Sequence, residues 1–413
     1  MTVPLDPETL RPLFPALGRT LNGQQVAYLD GPGGTQVPET VIEAMADYLR
    51  QGGSNLGGGF ASSDASEATV AAARSAVSDL VGADPAAVAF GQNMTSLTFA
   101  LSRALARTWS KGDRVVVTQL DHDANVTPWA VAAEERGVAV DRALIRLEDG
   151  TLDYEHLESL LDNRTRLVAV TAASNALGTV VDVARVAGAA HRVGALVYVD
   201  AVHHTPHHRV DIGALGADLL VASAYKFFGP HTGVLVGRLQ ALEELDAYRL
   251  RPAPDASPGK WETGTQSFES LAGVTAAVDY LASLGRMGGG SGDRSALLDT
   301  GMAAVRDHES GLSRRFLDGL QSMSGVRVHG PADVAPRCPT FALEIAGRHP
   351  GDVCASLAER GVFAWAGHYY ALEPMQALGV LDRGGLVRIG FVHTTTEDEV
   401  DRVLEELEKI SSG

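Results

Sequence analysis

The chain has 413 residues, which is enough for a large domain with a full hydrophobic core and a second, smaller domain. It contains 34 Lys and Arg against 51 Asp and Glu, and the resulting net charge of −17 opposes extended contact with a nucleic-acid backbone. Its two cysteines, Cys338 and Cys354, are too few for a disulfide framework, a four-cysteine zinc site or a metal cluster. We therefore expect a folded protein of the reducing cytoplasm that does not bind nucleic acid.

Export and membrane insertion have no support in the sequence. Residues 1–11 carry prolines and acids where a signal peptide has a basic start and an apolar run. No stretch approaches the roughly eighteen apolar residues of a membrane span. We expect no membrane partner.

The first half of the chain alternates between two kinds of apolar pattern. Helical periods come first, at residues 39–50, which follow Pro38, and at 66–81. Short runs rich in Val and Leu then predict buried strands at 88–90, 114–117, 167–170, 196–199, 219–221 and 234–236. Helical spacing between these runs predicts helices at 95–107, 126–136, 157–161 and 183–193. The alternation predicts βα units that build a mainly parallel sheet.

The second half indicates a smaller α+β domain. The glycine-rich run 285–292 predicts a flexible break, and a long helical pattern follows at 294–323. Further strands are predicted at 341–345 and 387–389, and further helices at 351–360 and 396–410. We expect three units: an N-terminal segment (1–30) that packs with the small domain, a large domain (31–285) and the small domain (286–413).

Polar side chains follow most of the predicted strands. These residues are Gln92 and Asn93, Asp121 and His122, Ser174 and Asn175, Asp200 and His203, and the run from Ser223 to Lys226. The carboxyl ends of strands in an open α/β sheet form one crevice, so these segments can converge on a single small molecule.

Asp200 and Lys226 give the sharpest chemical signal. Asp200 ends an apolar strand, and Lys226 lies in the turn Ser-Ala-Tyr-Lys-Phe-Phe-Gly-Pro that begins at Ser223. A buried aspartate can hold a pyridinium nitrogen protonated, and a desolvated lysine can act as a neutral amine. Together they indicate a site for pyridoxal 5'-phosphate, which serves as an electron sink in carbanion chemistry.

Eight ordered segments resemble the cysteine desulfurase branch of the class V aminotransferase family. They are Tyr28-Leu-Asp-Gly-Pro-Gly-Gly, Gly91-Gln-Asn-Met-Thr-Ser, Asp121-His-Asp-Ala-Asn, Ser174-Asn-Ala-Leu-Gly-Thr, Val199-Asp-Ala-Val-His, Ser223-Ala-Tyr-Lys, Glu262-Thr-Gly-Thr and Val387-Arg. The resemblance implies the fold type I of pyridoxal-phosphate-dependent transferases. This α/β fold has a large domain with a mainly parallel, seven-stranded mixed sheet between helices, and a smaller α+β domain.

The resemblance also implies roles for individual residues around the cofactor ring. Lys226 would form the Schiff base, Asp200 would pair with the ring nitrogen and His122 would stack on the ring. These three are the expected catalytic residues. Asn175 and His203 would lie by the phenolic oxygen, although relatives usually carry Gln at the position of His203.

The phosphate group would be held at the start of the helix that follows Asn93. The resemblance assigns it to Thr95 and the backbone N–H of Met94, where a helix N-terminus favours an anion. Ser223 would add a hydroxyl, and Tyr225 stands where relatives often carry His. Thr265 would reach the phosphate of a neighbouring subunit, which implies a homodimer.

On the substrate side, Arg388 would clamp the carboxylate of an amino acid. The glycine run that contains Gly33 is expected on a site loop. His368 is either a second acid–base group or a polar loop residue, and Tyr369 and Tyr370 either shape the substrate site or are packing aromatics. Relatives carry a sulfur-accepting cysteine where this chain has Tyr370, in the run Ala366-Gly-His-Tyr-Tyr-Ala.

The missing cysteine decides between the reactions. A phenol cannot accept sulfane sulfur as a thiolate does, so we favour a C–S lyase that eliminates the β-substituent of cysteine, cystine or a cysteine conjugate. The alternatives are a desulfurase or selenocysteine lyase that releases alanine, a class V aminotransferase, and an inactive protein of the same fold with a binding role.

No metal site is expected from the sequence. The pairs His203-His204 and His207-His208 lie on a loop, lack the spacing of a helical zinc motif and have no evident carboxylate or thiol set around them.

Overall fold

The computed structural model describes residues 4–335 and 337–412. Its helices, apart from short 3-10 turns, are α1 (Pro7–Leu10), α2 (Glu39–Gln51), α3 (Ala61–Val81), α4 (Met94–Ala106), α5 (Thr127–Glu134), α6 (Tyr154–Ser159), α7 (Val183–Arg192), α8 (Leu239–Glu244), α9 (Phe268–Met287), α10 (Arg294–Gln321), α11 (Pro350–Glu359), α12 (Leu372–Ala377) and α13 (Glu397–Ser412). None of the described helices has the length and apolar character of a membrane span.

The strands belong to two main sheets and two short pairs. They are β1 (Thr20–Leu21), β2 (Gln24–Gln25), β3 (Ala27–Tyr28), β4 (Val88–Gly91), β5 (Arg114–Thr118), β6 (Ala139–Ala143), β7 (Thr165–Thr171), β8 (Leu196–Asp200), β9 (Leu219–Ser223), β10 (Gly233–Gly237), β11 (Val326–His329), β12 (Thr340–Ile345), β13 (Val362–Phe363), β14 (Trp365–Gly367) and β15 (Leu386–Gly390).

Within the described residues, the large sheet has seven strands in the order β4-β10-β9-β8-β7-β5-β6. Strands β5 to β9 pair in parallel, and β10 runs antiparallel to both β9 and β4. The mainly parallel, seven-stranded mixed sheet expected from the resemblance is therefore confirmed.

Both faces of the large sheet are buried, which explains why its strands read as continuous apolar runs. Val115 and Val117 of β5 pack into one core with α4 and α5, whereas Val116 between them packs into the opposite core with α3, α7 and α9. The sheet is thus a middle layer between two layers of helices.

The smaller sheet has the antiparallel order β11-β12-β15-β14. One face packs against α11, α13 and the end of α10, in a separate core that includes Phe316, Phe341 and Phe391. Strand β3 near the N-terminus pairs in parallel with β13 of this half. The smaller α+β domain is present, while its division from the rest at residues 30 and 285 stays a prediction.

Several elements differ from the sequence-based expectation, among them β6 and α9. Strand β6 was not predicted individually, because it is a half-exposed edge strand whose sequence, Ala-Val-Asp-Arg-Ala, lacks a continuous apolar run. The flexible break at 285–292 was predicted to begin too early, because α9 continues to Met287. Gly285 is buried there, and a Cβ on it would collide with the carbonyl of Leu297 on α10, so this glycine permits close helix packing.

Candidate active site

The carboxyl ends of β5, β7, β8 and β9 open into one cavity of about 440 Å³. The segments around Gly33 and 365–370 and the side chain of Arg388 close it from the other side. The lining residues are Pro32, Gly33, Met94, Thr95, His122, Thr171, Ala173, Asn175, Asp200, Val202, His203, Tyr225, Lys226, Trp365, Ala366, Gly367, His368, Tyr369, Tyr370 and Arg388. The expected convergence of strand-end residues is therefore present.

Lys226 lies in a short turn directly after β9 and is only 8% exposed. Burial, reinforced by the nearby Arg388 guanidinium, lowers the pKa of its amine from 10.5 to about 7. Its Nζ donates a hydrogen bond to the carbonyl of Pro32 and lies 5.0 Å from the centre of the Tyr225 ring. A large part of this amine is therefore neutral near pH 7, as a nucleophile or base requires.

Asp200 is the last residue of β8 and is almost fully buried. Burial raises the pKa of its carboxyl group to about 6, against the lowering effects of a hydrogen bond from the Val202 N–H and of the Lys226 charge. The Val202 N–H reaches Oδ1 at 2.9 Å. Asp200 thus offers a buried carboxylate to the cavity, where a cationic partner would stabilise it.

His122 lies on the loop after β5 and is held in one tautomer. Its Nδ1 accepts a hydrogen bond from the Ala124 N–H at 3.0 Å, so the neutral ring carries its proton on Nε2. Burial, followed by repulsion from Lys226 and Arg388, lowers its pKa to about 4, so the ring is neutral at pH 7. The Tyr370 ring stacks on it, with centroids 5.6 Å apart and planes 19° apart.

Asp121 anchors this loop from inside the protein. It is fully buried, accepts hydrogen bonds from the Thr118 hydroxyl and from Asn125 Nδ2, and Asn125 in turn accepts one from the Trp129 indole. This chain of hydrogen bonds fixes the backbone that carries His122.

The N-terminus of α4 faces the same cavity. Asn93 caps this helix by accepting hydrogen bonds from the Ser96 N–H at 2.9 Å and the Ser96 hydroxyl at 3.1 Å. Met94 and Thr95 form the first turn, and the Met94 N–H donates to Ser223 Oγ at 3.1 Å. The first N–H groups of a helix and its dipole favour an anion at this position.

Arg388 is buried on β15 with unused hydrogen-bonding capacity. Its Nη1 donates to the Asn175 carbonyl at 3.0 Å, and its guanidinium lies 4.3 Å from the centre of the Tyr369 ring. Burial lowers its pKa to about 10, so it stays cationic at pH 7. Its Nε has no partner among the described residues, which leaves a donor for an anionic ligand.

Asn175 and His203 form part of the cavity wall, together with the charged groups of Lys226 and Arg388. Asn175 Nδ2 donates to the Tyr369 carbonyl at 3.0 Å, while its buried Oδ1 has no partner in the described part of the chain. His203 shares a hydrogen bond of 2.9 Å with Thr340 Oγ1. Burial holds the pKa of the His203 ring well below its usual value, so this ring is neutral.

The loop after β14 closes the cavity in a constrained conformation. Tyr369 and Tyr370 have φ values of 54° and 57°, in the left-handed region that non-glycine residues seldom adopt. The Tyr370 carbonyl accepts a hydrogen bond from the Asp123 N–H at 2.6 Å, and the Tyr369 hydroxyl donates to the Leu386 carbonyl. These contacts hold the Tyr370 side chain, which is 68% exposed, over His122 at the cavity mouth.

Two sequence-predicted site residues lie outside the cavity lining. Ser223 is buried beside it and contacts it through Met94. Thr265 lines a separate surface depression together with Asn55, Leu56 and Arg74. Every other predicted cofactor or substrate residue lines the cavity.

Trp365 and Asp30 were missed by the sequence analysis. Trp365 lies against Gly33, where a Cβ would meet its Nε1 at 2.9 Å. Asp30 is partly buried; burial raises the pKa of its carboxyl group, and the charges of the nearby Arg388 and Lys226 oppose this rise. Trp365 could have been noticed as the residue three positions before His368 on the predicted site loop. Asp30 had a weaker signal, because its segment is short and precedes the sheet.

Comparison with known proteins places this architecture in a family. The sequence profile described as "Aminotransferase class-V" matches residues 27–403. This chain belongs to the class-V aminotransferase family. It is therefore an enzyme of a pyridoxal-phosphate-dependent group, and the predicted family membership is confirmed.

Individual relatives point to one branch of the family. The chain is 31% identical to a cysteine desulfurase from Pectobacterium carotovorum over 419 residues, which cover 98% of this chain and 97% of that protein. It is 30% identical to a cysteine desulfurase from Serratia proteamaculans, with 98% of each chain covered. The expected cysteine desulfurase-like character of the enzyme is confirmed.

Solved structures agree with this placement. A cysteine desulfurase from Thermococcus onnurineus matches with a TM-score of 0.89, 25% identity and all of both chains covered. A cysteine desulfurase from Escherichia coli matches with a TM-score of 0.83, 26% identity and 98% of each chain covered. The predicted fold type I is therefore confirmed.

Proposed function

We propose that this class-V enzyme binds pyridoxal 5'-phosphate in the cavity and cleaves the Cβ–S bond of cysteine, cystine or a cysteine conjugate. The reaction is a β-elimination. The Cα proton and the β-thiolate leave the substrate, and hydrolysis of the released enamine by one water gives pyruvate and ammonia. The observation that carries this proposal is the position of Tyr370 at the cavity mouth, where a sulfur-accepting desulfurase needs a thiol.

The polar groups around the cavity fit the cofactor. Asp200 offers a carboxylate to a ring nitrogen, and the N-terminus of α4 with the Thr95 hydroxyl faces the cavity where a phosphate would bind. Asn175 Oδ1 is a buried acceptor without a partner among the described residues. Lys226 supplies the amine that would hold the aldehyde carbon. When bound, the cofactor withdraws the electron pair that remains at Cα after a proton leaves.

Lys226 is the proposed base for the Cα proton. With a pKa of about 7, its Nζ can accept a proton at neutral pH, and the buried setting keeps bulk water from competing. The neutral His122 ring presents its Nε2 proton and would support the cofactor ring from one face. Arg388 fixes the substrate carboxylate and so sets which bond at Cα faces Lys226.

Neither cysteine can replace the missing loop thiol as a sulfur acceptor. Cys338 is fully buried and its pKa is held well above the ordinary value by burial. Cys354 lies on α11, is partly buried and has its pKa raised to about 12 by burial. None of the described cavity-lining residues is a cysteine. A β-thiolate can instead leave directly, without a protein thiol.

The products distinguish this proposal from true desulfuration. Purified protein is incubated with L-cysteine and with an S-aryl cysteine, and keto acid and amino acid products are quantified separately. We expect pyruvate and ammonia in equal amounts from both substrates, with an equal amount of sulfide from L-cysteine and of aryl thiol from the conjugate, and none of these products from Lys226→Ala. Alanine without pyruvate would contradict the proposal and support a desulfurase or selenocysteine lyase, the second candidate favoured by the names of the relatives.

Cofactor binding has its own test. Borohydride treatment of the native protein, followed by proteolysis and mass spectrometry, is expected to leave the cofactor attached to the peptide that contains Lys226. Attachment elsewhere, or none in a protein isolated with the cofactor present, would contradict the assigned site.

The homodimer is also part of the proposal. Thr265 lines a depression that shares no lining residue with the cavity of its own chain, and Leu56 and Leu250 at the same depression are 43% and 71% exposed. A second copy that covers these residues would bring Thr265 to the neighbouring cofactor phosphate. The reducing cytoplasm, expected from the cysteine usage, is the proposed location.

A further inference from the structure

A buried cluster of metal-ligating side chains lies next to the cavity, outside the proposed chemistry. His203, His207 and Cys338 each offer one ligand atom, and these three atoms lie within 4.8 Å of one another. All three side chains are buried, with exposures of 3%, 1% and 0%. The cluster joins the loop after β8 to the residues that precede β12.

A carboxylate completes this arrangement. Glu309 on α10 is 3% exposed, and its Oε2 shares a hydrogen bond of 2.9 Å with His207 Nδ1. The structure thus overturns the premise that no thiol or carboxylate surrounds these histidines. The carboxylate beside His207 comes from Glu309, which is 102 positions away in the chain.

The contact between His207 and Glu309 suits a metal-bound histidine. When Glu309 is ionised and His207 carries its proton on Nδ1, the lone pair of Nε2 is free, and a carboxylate that accepts from the other nitrogen is the usual support of a metal-bound histidine. Glu309 Oε1 has no partner in the described ranges. A buried carboxylate with an oxygen that lacks a partner is stabilised by a nearby cation.

The size of the cluster suits a tetrahedral ion. A triangle with no side longer than 4.8 Å contains a point no more than about 2.8 Å from each corner, against about 2.0–2.3 Å for zinc–ligand bonds. Each ligand would move inward by less than about 1 Å.

We propose that His203, His207 and Cys338 bind a divalent cation of the zinc type, with Glu309 as the carboxylate that orients His207. One thiolate with two imidazoles favours a borderline-soft ion such as Zn²⁺ over Mg²⁺ or Ca²⁺. The charges balance, because the dication is matched by one thiolate and one carboxylate. His203 also lines the cavity, so the metal would fix the orientation of a residue of the cavity wall.

The test uses Co²⁺ as a spectroscopic probe of the protein as isolated, after chelation and dialysis. We expect saturable uptake of one ion per chain, with tetrahedral d–d bands at wavelengths beyond the cofactor's absorbance. Cys338→Ser should abolish these bands, and Glu309→Gln should weaken binding by about 10- to 100-fold. Cys354→Ser is the matched control and should bind as the wild type does.

X-ray absorption of the zinc-loaded protein gives a second readout, with one sulfur ligand expected at about 2.3 Å. If Cys338→Ser does not fold, His207→Gln and Glu309→Gln serve in its place. The proposal is overturned if the wild type shows no saturable uptake, if the spectrum lacks a sulfur ligand, or if the Cys338, His207 and Glu309 variants all bind as the wild type does.

Discussion

Replacing Lys226 by methionine tests the burial of this amine independently of catalysis. The side chains have similar size, but methionine carries no charge to desolvate. Because the folded protein lowers the Lys226 pKa from 10.5 to about 7, the unfolded chain holds one more proton than the folded chain between these values. Stability therefore rises with pH across this window in the wild type. Below pH 7 the amine is protonated in both states, and the penalty for burying its charge stays at its full size.

The magnitude follows from one proton per chain. A difference of one bound proton changes the free energy of unfolding by about 1.4 kcal/mol per pH unit, and the whole shift corresponds to about 5 kcal/mol. Between pH 7.5 and 9.5, the wild type should gain about 2.5 kcal/mol relative to Lys226→Met, because the titration of all other groups cancels in the comparison to a first approximation.

The assay is guanidinium unfolding of the cofactor-free protein at these two pH values. Lys111→Met, which replaces an exposed lysine, is the matched control and should follow the wild type. Parallel pH dependence in the wild type and in Lys226→Met would refute the assigned burial of the Lys226 charge.

Three further changes test other parts of the account. Tyr370→Cys places a thiol over His122 and should make alanine appear among the products from L-cysteine. Tyr370→Phe is the control and should still give pyruvate alone. If Tyr370→Cys also gives pyruvate alone, the role assigned to this position is contradicted. Arg388→Lys loses the two-pronged contact with a carboxylate and should raise KM by about 10- to 100-fold with a smaller effect on kcat. Equal KM values would exclude Arg388 as the carboxylate site. Gly285→Ala should destabilise the protein by about 1–3 kcal/mol in thermal unfolding, because its methyl group would meet α10. Gly311→Ala on the open face of α10 is its control and should be neutral or stabilising by up to about 1 kcal/mol.

The sheet could be predicted from sequence where both of its faces are buried. Strands such as β8 and β9 are continuous apolar runs because helices cover both sides, and this pattern is visible locally. Strand β6 at the edge is half exposed and lacks the pattern. Helix α9 was not predicted, and the break predicted at 285–292 covers its last residues, because the close contact of Gly285 with α10 is visible only in the fold.

The site could be predicted only where ordered motifs carry it. Asp200 and Lys226 follow strands with their neighbours in recognisable order, so their convergence at one edge of the sheet follows from topology. The cluster of His207, Glu309 and Cys338 has no such local signal, because it forms only when α10 and the start of β12 pack against the loop after β8. Trp365 was missed for a similar reason, since its contact with Gly33 joins opposite ends of the chain.

Carbon-13 NMR of the reaction with L-[3-¹³C]cysteine distinguishes β-elimination from desulfuration, because a single spectrum resolves both possible products. We expect the label in the methyl group of pyruvate, and we expect Lys226→Ala to leave the cysteine signal unchanged. A label found in the methyl group of alanine, with no pyruvate, would contradict β-elimination.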